Sequence, residues 1–200
     1  GSDAWYLDEY WRWREVLGEE TRLLNTYGLT EATVDSSYFE TDDRARYSGS
    51  TITPIGKPFA NVRIYLLDRW QMPVPIGTPG EIFIGGLGVS LGYINQPELT
   101  AERFLDDPFH RDGRMFRSGD MGRYLPDGTI EFIGRRDSQI KLRGFRIEIG
   151  EIEALLSQHP WIQQTAIIVD ESRPGNARLL AYVALRGDGA AGQADRAATP

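Results

Sequence analysis

The sequence contains no cysteine, which excludes disulfides, thiolate metal sites and a cysteine nucleophile and fits a reducing compartment. Lysine is nearly absent too, with only Lys57 and Lys141 present, so chemistry that needs an ammonium has few candidates. Positive charge is in deficit overall, with a formal net charge of -7. That balance argues against a broad nucleic-acid footprint, although single arginines can still hold a small anion such as a nucleotide. No run approaches the ~18 apolar residues that span a bilayer, and the N-terminus shows no charged stretch followed by an apolar one. A soluble protein without a membrane partner is expected, with the cytoplasm as its default location.

What is present is enough for a core: 200 residues with 40% hydrophobic content, sufficient for one large or two small domains. Tyr6 to Leu17 is aromatic and of helical character, with Trp5, Tyr10, Trp11 and Trp13 expected to pack. Thr21, Leu23 and Leu24 are expected to begin a short strand. It leads into Asn25-Thr26-Tyr27-Gly28-Leu29-Thr30-Glu31, a polar loop before the apolar-polar run Val34 to Phe39. In that loop Gly28 lets the backbone come close to a ligand, Tyr27 offers a ring for base stacking, and Thr30 offers a hydroxyl for phosphate. Glu31 offers a hard oxygen for magnesium. The alternative is a plain turn in which Thr30 and Glu31 cap the next element.

Charged residues Asp42 to Arg46 read as an exposed loop. From Ile52 to Gly92 short strands alternate with glycine and proline, notably Val62 to Leu67 and Glu81 to Ile84, which predicts a small β-barrel or a twisted antiparallel sheet. Gly85, Gly86, Gly88 and Gly92 lack the Gly-Lys-Ser/Thr ending and following helix of a phosphate-binding P-loop, so they are assigned to tight turns. Pro97 to Phe104 reads as a short helix with Thr100 as a cap and Phe104 as its buried anchor. Asp106, Asp107, His110, Arg111 and Asp112 lack metal-ligand spacing and read as a polar loop.

Met115 to Arg117 then delivers Ser118-Gly119-Asp120, where Gly119 permits a bend and Asp120 can accept two hydrogen bonds from a ribose diol. Gly122 to Leu125 and Thr129 to Gly134 pair as a hairpin across Pro126-Asp127-Gly128, with Asp127 structural. Arg135 can reach the same sugar or a phosphate, whereas Arg136 is assigned to solvent. Beyond Asp137, Ile140 to Leu142 and Phe145 to Ile147 form a strand pair across Arg143-Gly144. A helix from Glu151 to His159 follows, with Ile152, Leu155 and Leu156 on one face, then strands Ile162 to Val169 and Leu179 to Leu185. This predicts a mixed α+β fold: a barrel-like sheet region followed by a small α+β unit. The tail after Leu185 has the composition of a linker.

The segments NTYGLTE, GEIFIGGLGVSLGY, FRSGD and GRRDSQIKLRGFRIEIGEIE, in this order and spread over residues 1 to 185, resemble the adenylate-forming enzymes. The closest likeness is to the adenylation domains of nonribosomal peptide synthetases. The resemblance implies a C-terminal half: residues 1–136 from the large core subdomain, 137–185 an incomplete small subdomain, and 186–200 a linker. It implies a two-step reaction in which an amino-acid or related carboxylic acid substrate attacks the α-phosphate of ATP, assisted by Mg2+. The acyl-adenylate then passes to the phosphopantetheine thiol of a carrier-protein domain. An MbtH-like protein is a further partner that the family admits.

Carried over by position, Tyr27 lies against adenine with Asn25 near its edge and Gly28 beside them, while Phe132 borders the pocket. Thr30 contacts phosphate, Glu31 holds magnesium, and Asp120 binds the ribose hydroxyls with help from Arg135. Thr26, Val34 and Asp35 match walls of the substrate pocket. Asp137 matches the hinge, and the loop Lys141 to Arg146, with Gly144 at its tip, enters the active site in the second pose. Leu29 stands where the family usually has proline. The family's Asn-Gly-Lys lysine and its Gly/Ser/Thr-rich phosphate loop have no match here, so the isolated chain is expected to be inactive. An acyl- or aryl-CoA ligase fragment and an inactive scaffold piece are the alternative readings.

Overall fold

The computed structural model describes residues 5–18, 20–136, 139–142, 145–170 and 178–186. The chain divides into two compact units, Gly1–Asp137 and Ser138–Pro200. The first opens with helix α1 (Leu7–Leu17), whose buried residues Leu7, Tyr10 and Trp11 follow the i, i+3, i+4 spacing of one helical face. Trp13 falls on the opposite side and is 52% exposed, so its expected packing role is not realised. Tyr10 is the anchor of this face: its hydroxyl lies 3.1 Å from both the N–H and the carbonyl of Thr41. Its ring packs edge-on to Trp5 and Trp11. Arg14 donates to the carbonyl of Gly18, the helix C-cap, and to that of Thr21 just beyond it.

Next come β1 (Asn25–Tyr27), a 3-10 turn at Thr30–Ala32, β2 (Ser37–Phe39) and β3 (Lys57–Pro58). These strands form an antiparallel sheet in the order β1-β2-β3. Strand formation therefore begins at Asn25, not at Thr21 as the sequence suggests, because Asn25 is where the register with Phe39 of β2 starts.

The second sheet is built from β4 (Val62–Leu67), β5 (Gly80–Gly86), β6 (Phe104–Asp106), β7 (Arg114–Tyr124) and β8 (Ile130–Arg135), with helix α2 (Pro97–Arg103) between β5 and β6. Every pairing is antiparallel, in the order β4-β5-β7-β6, and β8 pairs with the far end of β7. Among the described residues the sheet stays open, so the barrel alternative does not form. Ile130 joins the two sheets: it donates to the Gly56 carbonyl at 2.8 Å and accepts from Ile55 at 2.9 Å. The main core is apolar and lies along these strands, with Leu66, Ile82, Ile84, Phe116 and Ile130 almost fully buried. Burying such side chains contributes roughly 1.5–3 kcal/mol each.

Two local expectations change here. Thr100 sits inside α2, not at its start, and Gln96 is the N-cap without a side-chain capping bond. Arg136 is not simply solvated, because it donates to Glu81 at 3.0 Å, a carboxylate that Arg117 also grips at 2.8 and 3.2 Å.

The second unit comprises β9 (Gln139–Leu142), β10 (Phe145–Glu148), α3 (Ile149–Ser157), β11 (Ile162–Asp170) and β12 (Arg178–Leu185). β9 pairs with β10, and β11 with β12, both antiparallel. The packed face of α3 is Ile149, Ile152, Glu153 and Leu156, an i, i+3, i+4, i+7 set that leaves Leu155 on the flank, 68% exposed. Glu153 accepts the Ile167 N–H at 3.0 Å, fastening α3 to β11. Among the described residues no helix is long and apolar enough to cross a membrane.

The β7–β8 turn carries a pH dependence. Asp127 accepts the Thr129 N–H at 3.0 Å and the Tyr47 hydroxyl at 2.6 Å. Burial pushes its carboxyl up, but these hydrogen bonds outweigh it and hold the group down at about 2. A depressed carboxyl contributes stability above its unfolded value near 4 and loses it as pH falls toward the folded value. Asp127→Asn is therefore expected to cost about 1 kcal/mol at neutral pH, allowing for solvent screening. In urea denaturation at stepped pH, the gap from wild type should narrow between pH ~4 and ~2; a gap that stays constant contradicts the assignment.

Candidate functional site

The site is set by an irregularity in β7. Glu81 pairs with Met121 and Phe83 with Arg117, so Ser118, Gly119 and Asp120 together face Ile82 alone. Gly119 takes a φ of 77°, which an L-residue adopts only at a cost. Ser118 locks the bulge by donating to the Ile82 carbonyl at 2.6 Å and accepting the Asp120 N–H at 3.0 Å.

The bulge turns Asp120 inward, where only 1% of it is exposed. Its carboxylate is received by two groups from different sheets. The Tyr27 hydroxyl at the end of β1 donates to Oδ2 at 2.6 Å. The Arg135 guanidinium at the end of β8 pairs with Oδ1 and also donates to the Ser118 carbonyl at 3.1 Å. Burial, and then the negative charge of Asp120, push the Tyr27 phenol well above its ordinary value, so it stays a neutral donor. A carboxylate removed from water in this way is tolerated only when it is paired and hydrogen-bonded.

The second part of the site is the loop after β1. Leu29, buried where the family usually has proline, accepts the N–H groups of Ala32 and Val34 at 2.9 and 3.1 Å. Thr33 and Val34 both have left-handed backbones, φ 61° and 68°, uncommon for β-branched residues. That strained turn folds the chain back so that the Ser36 N–H reaches the Tyr27 carbonyl at 2.7 Å.

It also explains Gly28. A Cβ there would lie 1.9 Å from the Val34 carbonyl oxygen, so the close approach that Gly28 permits is already made by the loop itself. Thr30 and Glu31 lie within the 3-10 turn itself, whose N-cap is Leu29. Glu31 is nearly buried, with the Tyr93 hydroxyl donating to its Oε1 at 2.7 Å. Its carbonyl accepts the Ser90 N–H at 2.9 Å.

The other candidates have environments of their own. Thr30, Val34 and Asp35 are exposed, and Thr26 and Phe132 are half-buried. Asn25 donates its amide to the Pro54 carbonyl at 2.8 Å. Lys141 lies in β9 opposite Arg146 of β10, whereas Asp137 and Gly144 lie outside the described residues. Thus Tyr27, Asp120 and Arg135 are brought into direct contact, and Glu31 is fixed by a partner that the sequence reading passed over. The signal for Tyr93 was weak: one aromatic residue after a glycine run, 62 positions from the carboxylate it holds. Surface cavities of about 530 and 540 Å3, lined around Trp11 and Arg14 and around Tyr47 and Arg123, contain none of the candidate residues.

Comparison with known proteins bears on the family and the fold. The AMP-binding enzyme family matches over residues 3–94. Gramicidin S synthase 2 of Brevibacillus brevis is 42% identical over 188 residues, 94% of this chain and 4% of that protein. Bacitracin synthase 2 of Bacillus licheniformis is 45% identical over 186 residues, 93% of this chain and 7% of that protein. Among solved structures, PA1221, an NRPS protein containing adenylation and PCP domains, matches with a TM-score of 0.74 and 31% identity, over 88% of this chain and 35% of that one. The chain therefore spans only a small part of these relatives. With motifs, mixed α+β fold and relatives in agreement, the chain belongs to the AMP-binding enzyme family, as a part of an adenylation domain of the nonribosomal peptide synthetase type.

Proposed function

We propose that this chain supplies the ribose site and the metal-ligand loop of an ATP-dependent adenylation domain that activates an amino acid or a related carboxylic acid. The observation that carries the reading is the Tyr27–Asp120 hydrogen bond, which joins positions 93 residues apart. It fastens the β1 loop bearing Thr30 and Glu31 to the β7 bulge bearing Asp120. In this reading the bond ties an aromatic ring, a phosphate-binding hydroxyl, a hard carboxylate and a diol-binding carboxylate to one another through the backbone.

In the reaction, the substrate carboxylate attacks the α-phosphate of ATP and the bond to pyrophosphate breaks, giving an acyl-adenylate. Asp120, oriented by Arg135, accepts hydrogen bonds from the ribose hydroxyls and fixes the nucleoside. Tyr27 flanks adenine, with Gly28, Asn25 and Phe132 around it. The exposed hydroxyl of Thr30 meets phosphate. Holding the reactants in line is where most of the barrier reduction in such a step arises. Thr26, Val34 and Asp35 contribute to the wall around the acid.

Magnesium fits Glu31 by the chemistry of the donor. Among the described residues no group of three or more His, Cys, Asp or Glu gathers to hold a metal. A lone carboxylate whose coordination is completed by phosphate oxygens is how magnesium commonly sits on a nucleotide. When bound, the ion neutralises charge that builds on the phosphates.

A phosphopantetheine thiol on a carrier domain then takes the acyl group as a thioester, breaking the bond to phosphate and releasing AMP; the partner is supported by the adenylation and PCP domains that occur together in PA1221. In this reading, residues 1–136 are core subdomain and 137–185 a small subdomain that rotates about Asp137. Lys141 and Gly144 then approach the thiol in the second pose, and residues 186–200 form a linker. The separation of contacts into two units supports this division. An MbtH-like partner rests on the family resemblance alone.

Pyrophosphate exchange by the full-length protein, run with a panel of amino acids, tests the reading. Glu31→Gln and Asp120→Asn should each lower exchange about a hundredfold, the scale of removing one preorganised electrostatic group. Wild-type exchange in both variants would show that these roles are wrong.

A further inference from the structure

Glu31 stands in a 3-10 turn of three residues, a short element that by itself does little to fix a long side chain. Free glutamate rotamers would have to be ordered at the moment a metal arrives, at a cost of about 1–2 kcal/mol. The fold has met that cost in advance through one segment, residues 88–93. Its Ser90 N–H holds the Glu31 carbonyl at 2.9 Å, its Gly88 carbonyl accepts the Thr33 hydroxyl at 2.7 Å, and its Tyr93 hydroxyl holds Glu31 Oε1 at 2.7 Å.

Tyr93 is itself fixed from two sides. Its ring meets Phe104 edge-on, at 5.3 Å and 73°, and Phe104 is buried against Phe116. Its main chain is clamped by Thr100, whose hydroxyl oxygen lies 2.9 Å from the Tyr93 N–H and 3.4 Å from its carbonyl. Gly92 makes the clamp feasible: a Cβ there would lie 2.3 Å from Thr100 Cγ2, and its φ is 148°. This accounts for a threonine inside α2, where its hydroxyl has no capping role.

We propose that Tyr93 is a positioning residue that presets the Glu31 carboxylate for a magnesium–nucleotide ligand, with Thr100 holding Tyr93 in place. The proposal rests on the reading of Glu31 as the metal ligand. Tyr93 touches neither metal nor substrate; it acts by fixing one carboxylate oxygen, as outer groups around metal ligands generally do, at 10–100-fold in affinity.

The test is calorimetric binding of an α,β-methylene analogue of ATP to the full-length protein, as a function of magnesium concentration. Tyr93→Phe should raise the magnesium concentration for half-maximal binding about tenfold and leave magnesium-free nucleotide binding unchanged. Thr100→Val should shift it in the same direction by less. Glu31→Gln combined with Tyr93→Phe should be no worse than Glu31→Gln alone, because both act through one carboxylate.

A wild-type magnesium midpoint in Tyr93→Phe, with or without a lower melting temperature, overturns the positioning role while a shifted Glu31→Gln leaves the metal reading standing. An unshifted Glu31→Gln overturns the metal reading and this proposal with it. Thr100→Val makes the same decision if Tyr93→Phe does not fold, a shifted midpoint supporting the role and an unshifted one overturning it.

Discussion

A carboxylate buried to 1% exposure must be compensated, and that requirement at Asp120 organises the larger unit. An uncompensated charge there would cost several kcal/mol. The compensation comes from Tyr27 and Arg135, which lie in different sheets and far apart in sequence. Asp120 can reach both only because Gly119 takes a left-handed backbone and Ser118 closes the bulge. The main-chain pairing of Gly56 with Ile130 joins the same two sheets.

The arrangement links stability to the proposed chemistry. In the proposed reading, the groups that satisfy Asp120 in the free protein also hold its carboxylate in orientation for a ribose diol. The loop after β1 shows the same economy. Its two left-handed β-branched residues, Thr33 and Val34, carry strain of the kind found where geometry is dictated by a site. Hydrogen bonds from Thr33 to Gly88 and from Tyr93 to Glu31 hold the loop in place.

The local patterns of this chain were readable directly. Val62 to Leu67 reads as a strand and is β4 to the residue, and Pro126-Asp127-Gly128 is the turn between β7 and β8. The mixed α+β class followed from the succession of strand and helix patterns, and the family from the order of the motifs. What sequence did not show was long-range pairing. β1 is three residues long and exists because β2 pairs with it. Gly28 is required by a carbonyl six positions later, and that carbonyl arrives only through backbone conformations that Thr and Val disfavour. Arg136 finds Glu81 across 55 positions, and Trp13 misses the core because only one face of α1 is packed. Short-range rules carry no information on such contacts.

In the proposed function the Asp120 carboxylate, set by the β7 bulge, is the ribose receptor. The most direct measurement compares binding of ATP and 2′,3′-dideoxy-ATP to the full-length protein and to its Asp120→Asn variant. Hydrogen bonds to a charged group, at roughly 1.5–3 kcal/mol, predict that wild type prefers ATP by about 10–100-fold and that the variant loses most of this preference. Equal discrimination in both proteins would contradict the account.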